Sequence, residues 1–159
     1  MTARSTSASS SSSRPSSVRI VFVCLGNSCR SQMAEAWARH LGGGRVEVQS
    51  AGLHPLGFIS PETSAVMAEK GIPLDSQRSK GFDAIDWNRV DVLVNMSHVP
   101  ARDLVPEFKG KRLDWKVSDP YMDPLETYRS IRDQLEKLVR KLLNELQGGA
   151  STPQSPPVT

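Results

Sequence analysis

The chain has 159 residues, 38% apolar and 23% charged, with a formal net charge of +3. A length within about 100 to 200 residues points to one core, not two. Two cysteines, Cys24 and Cys29, exclude a disulfide-stapled scaffold and a four-cysteine zinc site, and make a reducing cytoplasm the expected location.

Residues 5–17 hold nine serines, and residues 148–159 hold three prolines and two glycines. Segments 1–17 and 148–159 therefore read as disordered tails around one domain at 18–147. The tail charges are Arg4 and Arg14, which leaves 18 basic and 17 acidic residues in the domain. No Lys/Arg run with interleaved aromatics appears, so the basic balance gives no nucleic-acid partner. The apolar run Ile20 to Leu25 is far shorter than the roughly 18 residues of a membrane helix, so no membrane partner is expected.

Val18 to Cys24 (VRIVFVC) has the near-continuous β-branched and aromatic pattern of a strand covered on both faces. After Leu25-Gly26-Asn27-Ser28 the period becomes helical, with Met33, Ala34, Trp37, Ala38 and Leu41 on one face and Gly42 to Gly44 as the stop. Val46 to Ala51 alternates as a second strand. A helix is expected near Pro61 with Ser60 as its cap and Gly71 at its close. Asp91 to Met96 and Arg112 to Trp115 read as the third and fourth strands. Tyr128, Ile131, Leu135, Leu138, Leu142 and Leu146 mark a long amphipathic helix whose stripe faces the core. Strands alternating with helices imply an α/β fold with a parallel sheet.

In such sheets ligands collect beyond the carboxyl ends of strands, and CLGNSCRS (Cys24 to Ser31) lies at that place. The loop can curl so that the N–H groups of Leu25, Gly26, Asn27, Ser28 and Cys29 point inward, a nest shaped for a tetrahedral oxyanion. Gly26 and Asn27 suit it because both tolerate positive φ. A nest that binds an anion also favours a thiolate at its rim, which makes Cys24 a candidate nucleophile. Arg30 supplies a planar fork for two oxygens, and Ser31 can donate to the Cys24 sulfur. Departure of an ester oxygen needs a proton donor. Asp119, after the fourth strand and stiffened by Pro120, is the first candidate, with Asp123 and Asp114 as rivals.

VFVCLGNSCRSQMAEAW together with the later Asp119-Pro120-Tyr121 resembles low-molecular-weight protein tyrosine phosphatases and the thioredoxin-coupled type of arsenate reductase that shares their fold. The resemblance covers nearly all of 18–147 and implies a three-layer α/β/α fold. Its sheet would be a four-stranded parallel doubly wound one with a phosphate-binding loop after strand 1. It implies Cys24 as nucleophile, Arg30 as oxyanion ligand, Ser31 as support for the thiolate and Asp119 as general acid and then base. It further implies Asn27 as the residue that holds the loop, Ser50 as its brace, and Cys29 as a thiol able to pair reversibly with Cys24. Asn27, Glu35 and Ser50 match a potassium site of the reductases; no metal or other cofactor is required for the chemistry.

The wording SQMAE leans toward the reductases. Their disulfide relay needs two more cysteines after the third strand, however, and Ser97 stands where the first would be. Phosphatase chemistry needs only Cys24, Arg30 and an acid. The expected function is hydrolysis of phosphomonoesters, with a phosphotyrosine protein or small aryl phosphate as substrate and phosphate or arsenate as competing oxyanions. Tyr121 and the loop Leu53 to Ile59 would flank the aryl ring. Met122 replaces an aromatic residue common in the phosphatase acid loop, and Gln77 a histidine common near its position. The alternatives are an arsenate reductase using an external thiol such as glutathione or mycothiol, and a non-catalytic oxyanion- or phosphopeptide-binding module. A monomer is expected.

Overall fold

The computed structural model describes residues 17–147. The ends expected to be disordered lie outside these residues, Ser17 apart.

Four strands, β1 (Val18–Cys24), β2 (Val46–Gly52), β3 (Val92–Asn95) and β4 (Lys111–Asp114), form one parallel sheet in the order β2-β1-β3-β4. The fold is the expected three-layer α/β/α arrangement with a doubly wound sheet. β1 is central because both of its faces are apolar. Ile20, Phe22 and Cys24 enter a core shared with the helices α1 (Arg30–Gly42), α2 (Pro61–Ala68) and α3 (Leu125–Gln147), whereas Val21 and Val23 enter a second core with Leu93, Ile85, Leu104 and Phe108. Short 3-10 turns at 82–84, 87–89 and 101–103 roof this second core in place of a long helix. Arg112 fastens the roof by donating to the carbonyls of Ala101, Leu104, Val105 and Phe108, which explains a charge in so short a strand.

The element boundaries follow from side-chain chemistry. Ser60 accepts from the Thr63 N–H at 3.2 Å and caps α2, and Pro61 fills the first turn, where no N–H is needed. α2 stops at Ala68, before Gly71. The Ile72 N–H returns to the Met67 carbonyl, with Gly71 supplying φ +74° for the reversal. β3 ends at Asn95, short of Met96, because the Asn95 side chain bonds the Asp114 carboxylate, the Val99 carbonyl and the Ser97 N–H, and so turns the chain. In α3 the buried stripe runs through Tyr128, Ile131, Leu135, Val139, Leu142 and Leu143; Leu138 and Leu146 lie at its margin. The Trp37 indole donates to the Arg132 carbonyl at 3.1 Å and locks α1 against α3.

From β1 the chain steps out to β2, then returns past β1 to β3. The winding reverses beside β1, and the crevice beyond its carboxyl end is the place such sheets offer to a ligand.

Glu69, just after α2, joins that helix to α3 through Arg129 at 2.8 Å and Arg132 at 2.7 Å. Hydrogen bonds from Arg129, then Arg132, hold its carboxyl down from 4.5 to about 2. A depressed carboxylate adds stability that is complete above its ordinary value and is lost as pH falls toward the folded one. Replacing Glu69 by Gln is therefore expected to lower the thermal midpoint at pH 7, with a difference from wild type that shrinks as pH falls from 4.5 toward 2. Thermal melts across that pH range check it.

Candidate active site

The loop between β1 and α1 has its carbonyls turned outward. Those of Cys24, Leu25 and Gly26 accept from the N–H groups of Leu53, His54 and Leu56 at 3.2, 2.8 and 3.0 Å, and that of Ser28 from Ser60 at 3.2 Å. The Asn27 carbonyl takes Gln32 Nε2 at 3.1 Å. Among the described residues, no protein acceptor takes the backbone N–H of Gly26, Asn27, Ser28 or Cys29. Carbonyls outside and donors inside make the concave face of the loop electropositive, which suits an anion.

Asn27 holds this shape. Its φ is +50°, a left-handed conformation that asparagine tolerates better than most residues, and its side chain is fully buried. Nδ2 donates to Ser31 Oγ at 2.7 Å and to Ser50 Oγ at 2.9 Å, while Oδ1 accepts from Gln32 Nε2 at 3.0 Å and from the Lys80 N–H at 2.8 Å. Because a backbone N–H can only donate, the Lys80 contact settles which end of the carboxamide is oxygen. Gly26 does not take a positive φ as the sequence suggested. It leaves room instead: a Cβ there would meet Leu56 Cγ at 3.0 Å. The sequence reading missed the more demanding glycine. A Cβ on Gly52, at the end of β2, would lie 2.8 Å from the Leu25 carbonyl oxygen and 2.9 Å from the Asn27 nitrogen.

Cys24 Sγ lies 2.9 Å from Ser31 Oγ, both buried at the base of the loop. Ser31 already accepts from Asn27, so its own proton is available to the sulfur. Arg30 is 3% exposed and pinned by NH1, which donates to the Met96 carbonyl at 2.6 Å and the Val117 carbonyl at 3.1 Å. Its Nε has no partner, and NH2 stands 3.6 Å from Asp119 Oδ2. One edge of the guanidinium is thus consumed by structure, and the edge carrying Nε and NH2 is left as a fork for two oxygens. Ser28 Oγ is also buried without a partner.

These groups floor a cavity of about 290 Å³ with Leu25, His54, Leu56 and Tyr121 as walls and Asp119 at its side. Tyr121 and Leu56 are 41% and 44% exposed, so the walls are apolar and open. Asp119 Oδ1 accepts from the Tyr121 N–H at 3.0 Å, which aims the carboxyl. The rival Asp114 is spent on Asn95 and the Ala101 N–H, and neither it nor Asp123 lines the cavity. Cys29 turns its sulfur toward the helices, 3.5 Å from Ser60 Oγ and 3.8 Å from Tyr128 Oη. Burial, followed by the adjacent Cys29, pushes the Tyr128 phenol up to about 12. Ser97 is a turn residue, its hydroxyl bonded to Asn95 Oδ1 at 2.6 Å.

Asn27, Ser50 and Glu35 do meet, but not as a potassium cage. A hard cation needs oxygens with free lone pairs. Asn27 presents its N–H₂ to Ser50, and Ser50 spends its proton on Glu35 Oε1 at 2.5 Å. Glu35 Oε2 is taken by Arg39 NH2, also at 2.5 Å. The donor set does not fit the ion.

The parallel sheet thus brings a nest of N–H groups, a cysteine at its base and an arginine fork around one cavity, an arrangement that can hold a tetrahedral anion beside a thiol. Residues 19–151 match the family described as low molecular weight phosphotyrosine protein phosphatase, and the chain belongs to it. It is 34% identical over 130 residues to a glutaredoxin arsenate reductase of Synechocystis, covering 80% of this chain and 98% of that protein. Against an arsenate reductase of Bacillus cereus it is 34% identical over 123 residues, covering 77% and 91%. Among solved structures it is similar to an arsenate reductase in a phosphate-binding state, with TM-score 0.74, 34% identity and coverage of 81% and 98%. The YwlE arginine phosphatase of Geobacillus stearothermophilus gives TM-score 0.73 at 32% identity, covering 83% and 94%.

Gly52→Ala tests the close approach of β2 to the loop. The added Cβ must push Leu25 or Asn27 aside, so affinity for inorganic phosphate is expected to fall about tenfold or more, since displacements near 1 Å can cost about a hundredfold. Calorimetric titration with phosphate measures this, and circular dichroism confirms that the sheet persists.

Proposed function

We propose that the chain hydrolyses phosphomonoesters whose leaving group is aromatic or otherwise apolar, phosphotyrosine among them. What carries the reading is the open apolar wall of Leu25, Leu56 and Tyr121 above a floor with an unpartnered Arg30 Nε. A bare inorganic oxyanion would use the floor but not the wall. An aryl phosphate uses both.

In the reaction, Cys24 thiolate attacks phosphorus in line with the ester oxygen. The S–P bond forms as the P–O bond breaks, and Asp119, in its acid form, passes its proton to the departing oxygen. The nest and the Arg30 fork bind the three equatorial oxygens, whose charge grows in the transition state. Asp119, now a carboxylate, takes a proton from water as the water oxygen attacks phosphorus. The P–S bond breaks, phosphate leaves, and the Ser31 hydroxyl stabilises the returning thiolate.

The relatives favour a second reading, since several are named arsenate reductases. Here Cys24 would attack arsenic, and one arsenate oxygen would leave as water as the S–As bond forms. An external thiol such as glutathione or mycothiol would attack the Cys24 sulfur and leave arsenite and a mixed disulfide. An outside reductant is needed because Cys24 and Cys29 are the only thiols in the sequence.

The readings separate in one set of assays. Phenyl phosphate, p-nitrophenyl phosphate and phosphoarginine are each offered to the protein, and arsenate is offered with glutathione, mycothiol or thioredoxin systems. Hydrolysis of the aryl esters is expected; arsenite formation without ester hydrolysis would replace this reading by the second. Asp119→Asn is expected to slow phenyl phosphate turnover by about a hundredfold or more, as loss of a general acid does. The loss should be smaller for p-nitrophenyl phosphate, whose leaving group needs less protonation, and phosphate binding should survive. Unchanged phenyl phosphate turnover would remove Asp119 from the role.

A further inference from the structure

Six side chains form a closed ring behind the oxyanion loop. Asn27 Nδ2 donates to Ser50 Oγ at 2.9 Å, Ser50 Oγ to Glu35 Oε1 at 2.5 Å, and Arg39 NH2 to Glu35 Oε2 at 2.5 Å. Arg39 NH1 continues to Gln77 Oε1 at 2.8 Å, Gln77 Nε2 to Gln32 Oε1 at 2.8 Å, and Gln32 Nε2 closes on Asn27 Oδ1 at 3.0 Å. Glu35 is 4% exposed, a carboxylate that burial would penalise heavily without a counter-charge. Arg39, one turn further along α1, supplies that charge from a half-exposed position, and its NH2 is also anchored on the Val48 carbonyl at 3.0 Å.

We propose that the guanidinium of Arg39 is a built-in cation that positions the oxyanion loop, filling at Glu35 the electrostatic place a bound alkali-metal ion would otherwise take. Arg39 is a positioning residue, acting on the ligand only through Glu35, Ser50 and Asn27. Two features separate a fork from an ion here. Its planar donors satisfy Glu35 and Gln77 together, so the charge and the ring closure come from one group. Its covalent attachment to α1 makes the charge independent of salt composition. Without it, Glu35 is a buried carboxylate with no counter-charge and is free to swing toward water, Ser50 loses its acceptor, and Asn27 loses the support for its left-handed backbone. Gln77 has a place in this scheme: its amide accepts from Arg39 and donates to Gln32 at once.

The inference requires only that the nest bind an oxyanion, so inorganic phosphate serves as the probe whichever reaction the chain performs. Phosphate is titrated calorimetrically into the full chain in choline chloride and in potassium chloride at equal ionic strength. Wild type is expected to bind equally in both. Arg39→Met should bind about tenfold more weakly in choline chloride, the scale of losses known for outer-layer partners of binding sites. Affinity should return when Lys replaces Arg39 or when potassium is supplied to the Met variant. Wild-type binding that strengthens several-fold in potassium overturns the proposal, as does a Met variant that binds like wild type. A loss that neither Lys nor potassium repairs assigns Arg39 a merely structural part and overturns it equally. If the Met variant does not fold, the wild-type salt comparison and the Lys variant still decide. No phosphate binding by wild type in either salt overturns the nest itself, an outcome distinct from failure of the Arg39 assignment.

Discussion

The structure depends on one buried carboxamide. Asn27 bonds with both ends of its side chain and with its carbonyl: two acceptors on the amide nitrogen, two donors on the amide oxygen, and a fifth bond at the main-chain oxygen, with the main-chain N–H left to the nest. That satisfaction of the side chain makes a left-handed asparagine tolerable in a fully buried place, because a buried amide missing even one partner costs about 1 to 3 kcal/mol. Once Asn27 is held, the loop carbonyls point outward and its N–H groups inward, and every property of the cavity floor follows from that orientation.

The same economy governs Arg30. A guanidinium has five donors, and the fold uses NH1 for two main-chain carbonyls while leaving Nε orphaned beside the cavity. A wholly satisfied arginine would be an inert strut, and a wholly free one would be poorly aimed. The division between anchored and unanchored edges fixes direction without consuming the group. Asp119 shows the pattern on a smaller scale, with one oxygen on the Tyr121 N–H and the other facing Arg30.

Much of this was legible in the sequence, for physical reasons. The period change after Cys24 marks where a strand gives way to a helix, and the spacing of Cys24, Arg30 and Ser31 on that junction follows from local geometry. Asp119 followed from its place just after the fourth strand, Ser50 only from resemblance to known motifs, and the structure brings both to the loop or its cavity. What escaped was long-range. Gln32, Arg39, Gln77 and the Lys80 N–H meet only because β2 lies beside β1 and the segment after α2 returns over it. Gly52 lay just past a second strand expected to end at Ala51, and only the distance from its missing Cβ to Leu25 and Asn27 shows its use. Gly26 was credited with a left-handed backbone it does not have, because the crowding is set by Leu56 from another loop. The potassium reading failed on hydrogen direction, which residue identity cannot convey.

The partners of Asn27 come from positions 31, 32, 50 and 80, so the loop cannot take its binding shape until β2 and the segment beyond α2 have docked. The proposed anion site is therefore a property of the assembled domain and absent from the unfolded chain. By mass action, phosphate at a hundred times its dissociation constant would raise the free energy of unfolding by about 2.7 kcal/mol. A cell's phosphate level would then act on the persistence of this protein, apart from any inhibition of its chemistry.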